Sequence, residues 1–427
     1  MPGLSYREAL AWLYGTQRFG IKLGLENIRR LFAELDVGFG GQAASASCRR
    51  DTGWKPAPRC PRVIHVAGTN GKGSVCAMID SICRAQGYRT GLFTSPHLIS
   101  FRERIQVDGE MIAESNVAEG LTLIRRLTAD WQPHPTFFEI TTALALRHFR
   151  ETNPDVVVLE TGMGGRLDAT NATAPIVSVI TSIDYDHEKW LGNTLVEIAG
   201  EKAGIIKANT PVVSAPQPAE AEAVIRARAA DCAAPLQFVR QSCGHTVALA
   251  GSHQKQNAAL ALAALRAANI HVDEDAIRRG LASVSWPARF QRWDERTVID
   301  GAHNPAGARM LAETWREFFG NEKATLIVAL LRDKDVAGIC CALAPISTRF
   351  LLPQIRSERA LPPIELEKIL GDVLAKVSVT IHSSFSEALK VAQKDSAPIL
   401  ITGSLHFAGE ALATLQGIPA AYEECAQ

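Results

Sequence analysis

The stretch HVAGTNGKGSV, residues 65–75, gathers the residue types that anion binding needs. Gly68, Gly71 and Gly73 have no side chain to hold a ligand off the backbone. Glycine also reaches conformations closed to other residues, so N–H groups can converge on a phosphate. Lys72 adds a mobile positive charge, and a helix expected to begin near Ser74 would aim its positive dipole end at the same place. The spelling departs from the common G-x-x-x-x-G-K-[ST] pattern, which would need glycine at Val66 and a hydroxyl at Gly73. The hydroxyl comes one place late, at Ser74. A strand-to-helix turn that merely contains glycines is the plain alternative, but Lys72 and Ser74 favour the phosphate loop.

A second candidate follows in DVVVLETGMGG (155–165), where an apolar run from Val156 to Leu159 ends on Glu160. A carboxylate at the carboxyl end of a parallel strand sits in the crevice where α/β proteins bind ligands, and nucleotide enzymes use one to hold Mg²⁺ beside phosphates. Most acidic strand ends are simply solvated. The glycines at 162, 164 and 165 and the nearby phosphate loop make Glu160 a metal-ligand candidate. In SIDYDHEKWLG (182–192), His187 can offer a neutral imidazole nitrogen, with a structural histidine an equal alternative. Lys202 and Lys207 in EKAGIIK read by composition as a solvated helix face. Asp300 in DGAHNPAG suits a ribose hydroxyl and Arg289 in WPARFQ suits a phosphate, although both pass equally as loop residues.

These residues need a scaffold that brings strand ends together. Short apolar runs alternate with amphipathic stretches along most of the chain, which predicts α/β architecture with largely parallel sheets. Strands are expected at 62–68, 90–95, 155–160, 176–184 and 211–215, and helices at 74–87, 138–151 and 195–206. A helix at 253–269 is expected to close the first unit. A second series of strands, at 297–304, 324–331, 349–354, 377–382 and 398–404, follows a break near Pro287. A length of 427 residues suggests two or three domains, and the break places them at 1–286 and 287–427. Residues 37–61, rich in Gly, Ser, Ala and Pro, read as an inserted loop. Lys plus Arg and Asp plus Glu both total 45, so there is no global basic footprint for nucleic acid. No long apolar run or signal-like start points to a membrane, and the nine scattered cysteines form no C-x-x-C pair. A cytoplasmic protein is expected.

Taken together, FGIKLGLENI (19–28), HVAGTNGKGS, TSPHL (94–98), ERIQVDGEMI (103–112), FFEITTA (137–143), ETGMGGRLDATN (160–171), DHEKWLG (186–192), EKAGIIK (201–207), HQKQNA (253–258), DGAHNPAG and GSLHFAGE resemble the folylpolyglutamate synthase and dihydrofolate synthase family, relatives of the Mur ligases. The irregular spelling of the phosphate loop is then the family's own. The resemblance implies an N-terminal P-loop-type nucleotide-binding domain with a mainly parallel sheet, and a smaller C-terminal Rossmann-like α/β domain. It also implies an ATP-dependent ligase that adds L-glutamate to dihydropteroate, to tetrahydrofolate or to both, through an acyl phosphate.

Thr69, Asn70, Gly71, Lys72, Gly73 and Ser74 match the family's ATP loop, and Asn257, Arg289 and Asp300 match further nucleotide contacts. Ser95, Glu160 and His187 match Mg²⁺ positions. Lys202 matches a lysine carried in carbamylated form, which reverses its bland reading by composition. Leu23, Gly24, Leu25 and Glu26, Thr136, Phe137, Phe138 and Glu139, and Leu167, Asp168 and Ala169 match the segments around the pteroate-like substrate. Two Mg²⁺ sites, an optional monovalent cation and a monomer complete the expectation, with no nucleic acid or membrane partner. The insertion at 37–61 and the missing glycine in ALLRDKD (329–335) depart from the family pattern. A Mur-type ligase acting on a nucleotide-linked precursor and an ATP-hydrolysing switch are the competing readings.

Overall fold

The computed structural model describes residues 3–20, 24–37, 61–373, 377–419 and 422–423; the insertion expected at 37–61 lies almost wholly outside them. Two sheets organise the chain. The first has eight strands: β1 (Arg62–Ala67), β2 (Thr90–Phe93), β3 (Ile105–Val107), β4 (Glu110–Met111), β5 (Val156–Glu160), β6 (Val177–Ile180), β7 (Val212–Ser214) and β8 (Leu236–Phe238). Their spatial order is β4-β3-β2-β5-β1-β6-β7-β8, parallel except for the β3–β4 edge. The uninterrupted apolar run at 156–159 follows from burial on both sides. Val156 and Val158 enter one core, and Val157 and Leu159 enter the other. In the register of β1 with β5, Val66 lies opposite Glu160, so the phosphate loop and the carboxylate leave the sheet side by side.

The second sheet comprises β9 (Gln291–Arg292), β10 (Thr297–Ile299), β11 (Ala324–Val328), β12 (Ser347–Pro353), β13 (Ser378–His382) and β14 (Ile399–Thr402), in the order β13-β12-β11-β14-β10-β9. It is parallel except for β9, and its helices form cores on both faces. This is the expected α/β pairing of a larger P-loop-type unit with a smaller Rossmann-like one.

Three local expectations need correction. The helix after the phosphate loop runs Lys72–Gln86, two residues earlier than expected, because Gly71 adopts the left-handed conformation (φ 91°) and turns the chain directly into it. The helix at 195 stops at Ala203, before Gly204, instead of continuing to 206. The first unit is closed not by the helix Ser252–Ala267 but by a further one, Glu274–Ser283. Gly280 in that helix lies so close to Lys72–Gln86 that a Cβ would stand 2.6 Å from Ile82 Cα, and Ser81 Oγ donates to the Gly280 carbonyl at 2.8 Å.

The two units are joined by more than the linker. Leu98, from the loop after β2, sits in a core cluster of the second unit with Ile299, Ile327 and Phe407. Gly409 of the helix Leu405–Leu415 lies directly under it, where a Cβ would collide with the Leu98 carbonyl. Glu423 then returns to the first unit. Its carboxylate accepts from Tyr6 Oη at 3.0 Å, Ser100 Oγ at 3.2 Å and the Phe101 N–H at 2.5 Å. No helix among the described residues is long and apolar enough to cross a membrane.

Candidate functional site

The carboxyl ends of the central strands of both sheets face a shared cleft of about 1160 Å³. On the first wall the phosphate loop is held by β6. Thr69 N–H and Asn70 N–H donate to the Ser182 carbonyl at 2.8 and 3.3 Å, and Thr69 Oγ1 bridges the backbone of Asp184. Gly71 and Gly73 are required by what surrounds them. A Cβ at Gly71 would stand 2.7 Å from Asn257 Oδ1, and one at Gly73 would stand 2.7 Å from Trp286 Nε1. Lys72 folds back so that its ammonium donates to the Gly68 and Thr69 carbonyls, each at 3.2 Å. Ser74 is buried, and its hydroxyl accepts from Gln254 Nε2 at 3.4 Å, while Gln254 also accepts from Asn257 at 3.0 Å.

Beside the loop, the buried Glu160 carboxylate accepts the Ser95 N–H at 3.1 Å. Burial pushes its pKa up, against the pull of Lys72, the Ser95 N–H, Arg289 and Arg104. The Ser95 hydroxyl is buried with no hydrogen-bond partner among the described residues. Burial also lowers the His187 pKa, to about 3, with Asp186 opposing and Lys334, His303 and Lys202 reinforcing, so the ring is neutral at physiological pH. No cluster of three His, Cys, Asp or Glu occurs among the described residues. A neutral imidazole, an unused hydroxyl and a carboxylate are nevertheless a suitable donor set for a hard divalent ion that keeps several water or phosphate ligands.

Lys202 is not on a solvated face. It is buried, donates to the Gly68 carbonyl at 2.8 Å, and has its pKa lowered to about 7 by burial and then by Lys72.

The second wall contributes Arg289 and Asp300. Arg289 is bracketed by two left-handed residues, Ala288 (φ 55°) and Phe290 (φ 44°), in the linker. Burial lowers the Arg289 pKa, which Asp300 and Glu160 offset. The Asp300 carboxylate accepts the Phe290 and Ala302 N–H groups at 2.7 and 2.8 Å, and so fixes the linker to β10.

In the part of the cleft beside Gly162, Phe138 packs against Phe93 with ring centroids 5.9 Å apart, and Phe137 stacks on Tyr14. Thr136 and Glu139 form the capping box of the helix Phe137–Thr152, the Glu139 carboxylate accepting the Thr136 N–H at 2.8 Å. Asp168 is similarly engaged. One oxygen accepts the Gly162 and Met163 N–H groups at 2.9 and 3.0 Å, and the other accepts Thr170. Leu167, Ala169 and Gly24 line the cleft. Leu25 packs into the adjoining core, Glu26 is exposed at the start of its helix, and Leu23 lies outside the described residues.

Sequence reasoning missed the polar groups that connect the walls. Asp186, His303, Asn304 and Lys334 all line the cleft. Burial alone would raise the Asp186 pKa. The hydrogen bond and charge of His303, with His187 and Lys334, hold it well below the usual carboxylate range. All four lie inside motifs quoted for the resemblance or its departures, but no spacing rule links positions 186 and 334.

The chain matches the Mur ligase middle domain over residues 66–215 and the Mur ligase glutamate ligase domain over residues 288–405. It is 35% identical to the dihydrofolate synthase/folylpolyglutamate synthase of Bacillus subtilis, covering 94% of this chain and 97% of that protein. Among solved structures, Escherichia coli FolC in complex with DHPP and ADP superposes with a TM-score of 0.83 at 30% identity, covering 97% of this chain and 99% of that one. The bifunctional folylpolyglutamate synthase/dihydrofolate synthase of Yersinia pestis, complexed with AMPPNP and Mn ion, gives 0.83 at 30% identity over 97% and 100%.

Proposed function

From the premise that the chain belongs to the folylpolyglutamate synthase and dihydrofolate synthase family and is an ATP-dependent carboxylate–amine ligase, we propose the roles its residues play in joining L-glutamate to a dihydropteroate or tetrahydrofolate acceptor. One observation supports this most directly. The phosphate loop after β1 and Glu160 at the end of β5 leave the sheet side by side, Ser95 after β2 and His187 after β6 line the same cleft, and so do Arg289 and Asp300 from the second sheet's side.

The reaction needs the acceptor carboxylate made electrophilic. A carboxylate oxygen bonds to the γ-phosphorus of ATP as the bond to the β-phosphate bridging oxygen breaks, and ADP leaves. The glutamate amine then attacks the acyl carbon, the amide forms, phosphate departs and the amine loses its proton. The loop N–H groups from Thr69 to Ser74 and the Lys72 ammonium hold the phosphates, and Lys72 opposes the charge that develops on transfer. Arg289 meets the phosphates from the second domain, Asp300 accepts from the ribose, and Asn257 flanks the nucleotide. Ser95, Glu160 and His187 would hold a divalent ion, which supplies charge neutralisation between anionic ATP and an anionic acceptor. Phe137, Phe138, Leu167 and Ala169 form the acceptor wall, with Gly24 at its rim. Much of the rate then rests on alignment of reactants between the two walls.

Lys202 is read as carbamylated, which its buried, half-neutral amine near pH 7 supports. Two divalent positions, an optional monovalent cation, a domain boundary at 286/287, a monomer and a cytoplasmic location complete this reading. The test is product mass after incubation with ATP, Mg²⁺, glutamate and either acceptor. A gain of one glutamate on dihydropteroate alone identifies a dihydrofolate synthase, and extension of tetrahydrofolate as well identifies a bifunctional enzyme. ATP binding without either product would overturn the ligase assignment.

A further inference from the structure

The Asp186 carboxylate is where the two walls of the cleft touch. It belongs to the first domain, in the loop after β6. One oxygen takes the Lys334 ammonium at 2.5 Å and the His187 backbone N–H at 2.9 Å. The other takes the Asn304 amide at 3.2 Å and faces His303 Nε2 at 3.5 Å. The Lys334 and Asp186 side chains are each only 7% exposed. Asn304 also exchanges reciprocal amide hydrogen bonds with Asn70 of the phosphate loop, at 3.2 and 3.0 Å. Lys334, His303 and Asn304 all come from the second domain, whereas Asn70, Asp186 and His187 come from the first.

We propose that Lys334 is a positioning residue for the reaction: its pairing with Asp186 latches the second domain onto the loop that carries His187, and Asn304 extends the same latch to the phosphate loop. The metal corner and the phosphate loop therefore reach their working arrangement only with the domains together. What that arrangement is used for rests on the ligase reading above; the latch itself does not.

The energetics suit a latch that sets geometry more than it adds stability. Desolvating an ammonium and a carboxylate roughly cancels their attraction, so such a pair adds little net stability. It does impose one geometry, because removing either partner leaves a charge stranded in a dry site. Asn304 is a poor probe of this, since its carbonyl also caps the helix Pro305–Phe319 through the Gly307 N–H at 2.8 Å. Lys334 carries no such second duty among the hydrogen bonds described.

The experiment compares the full-length protein with Lys334→Met, Lys334→Arg and the Lys334→Met/Asp186→Asn double variant. It measures kcat, KM for glutamate, ADP affinity by calorimetry and domain separation by small-angle scattering with ADP bound. Lys334→Met should lower kcat by about 10- to 100-fold, the usual scale for removing a group that orients a metal site. It should also enlarge the ADP-bound particle while leaving KM for glutamate near that of the unmodified protein. Lys334→Arg should recover most of the turnover, and the double variant should recover part of it by removing the stranded carboxylate. A large rise in KM for glutamate with no rescue by the double variant would make Lys334 a substrate contact and overturn the proposal. Unchanged kcat and particle size in Lys334→Met would overturn it too. If the unmodified protein makes no product, the ligase reading fails alone, and the scattering comparison still decides the latch.

Discussion

The two ends of the cleft are built on opposite plans. At the phosphate end, the working groups are backbone N–H groups and charges presented to the cleft by a strand, a left-handed glycine and a helix start. At the acceptor end, the polar side chains are already occupied in holding the protein. Glu139 and Thr136 cap a helix, and Asp168 ties the turn at Gly162 and Met163. On the roles proposed above, what remains to meet the acceptor there is mostly apolar wall. On those roles the second plan binds recognition and stability together, whereas in the first Lys72 is tied, among the described residues, only to carbonyls of its own loop.

Lys72→Ala tests this difference most sharply. It should lower kcat by about 10²- to 10³-fold, the scale for removing one preorganised charge-stabilising donor, with no change in melting temperature. Activity loss accompanied by unfolding would erase the contrast. Asp168→Ala should do the reverse. Three backbone N–H groups, of Gly162, Met163 and Thr170, and the Thr170 hydroxyl would lose a buried acceptor, at about 1–3 kcal/mol for each unsatisfied group. Denaturant titration should register that loss, acceptor KM should rise, and ADP affinity should stay put.

Lys202 gives the phosphate end a pH signature. With its pKa lowered to about 7 by burial and then by Lys72, the neutral amine that can take up CO₂ should grow tenfold per pH unit below that value and level off above it. Bicarbonate-dependent activation followed between pH 5.5 and 8.5 would reveal the bend. In the unmodified amine form, the unfolded chain binds a proton that the folded chain lacks between about pH 7 and the ordinary lysine value. This group's contribution to stability therefore rises with pH across that window and is lowest below it. The smallest effect should come from Thr136→Ala, which removes one half of a capping box and costs about 1 kcal/mol. Hydrogen exchange at the first turn of Phe137–Thr152 would report it, and unaltered protection would mean the cap contributes little to the acceptor wall.

What was legible in the sequence follows the same division. The phosphate loop could be read because its geometry is local. Three glycines, a lysine and a strand end within ten residues determine where the N–H groups point. The strands around it followed from apolar runs, and Glu160 from its place at the end of one, whereas their order in the sheet did not. Helix limits were less legible where one glycine decided them, as at Gly71 and Gly204. Lys202 looked solvated by composition because an amphipathic pattern does not reveal that the Gly68 carbonyl lies above it. The Asp186–Lys334 pair was invisible for a different reason. Its partners lie 148 residues apart, in loops that leave different sheets, and nothing in either local stretch marks the other. The roles expected of Glu26 and Glu139 met a further limit, since a carboxylate in the right segment can be exposed or already engaged as a cap.

The placement of Leu98 bears on how the molecule can be divided. With Ile99 beside it, its side chain completes an apolar cluster whose other members lie beyond residue 287, and Glu423 reaches back to fasten the same loop. A fragment cut at the linker would expose a notch in its own interior, beside the bare backbone of Gly409. Such a fragment should aggregate when expressed alone and be rescued by co-expression with the other half. The two bodies that border the cleft are thus expected to fold as one unit, each completing part of the other's interior.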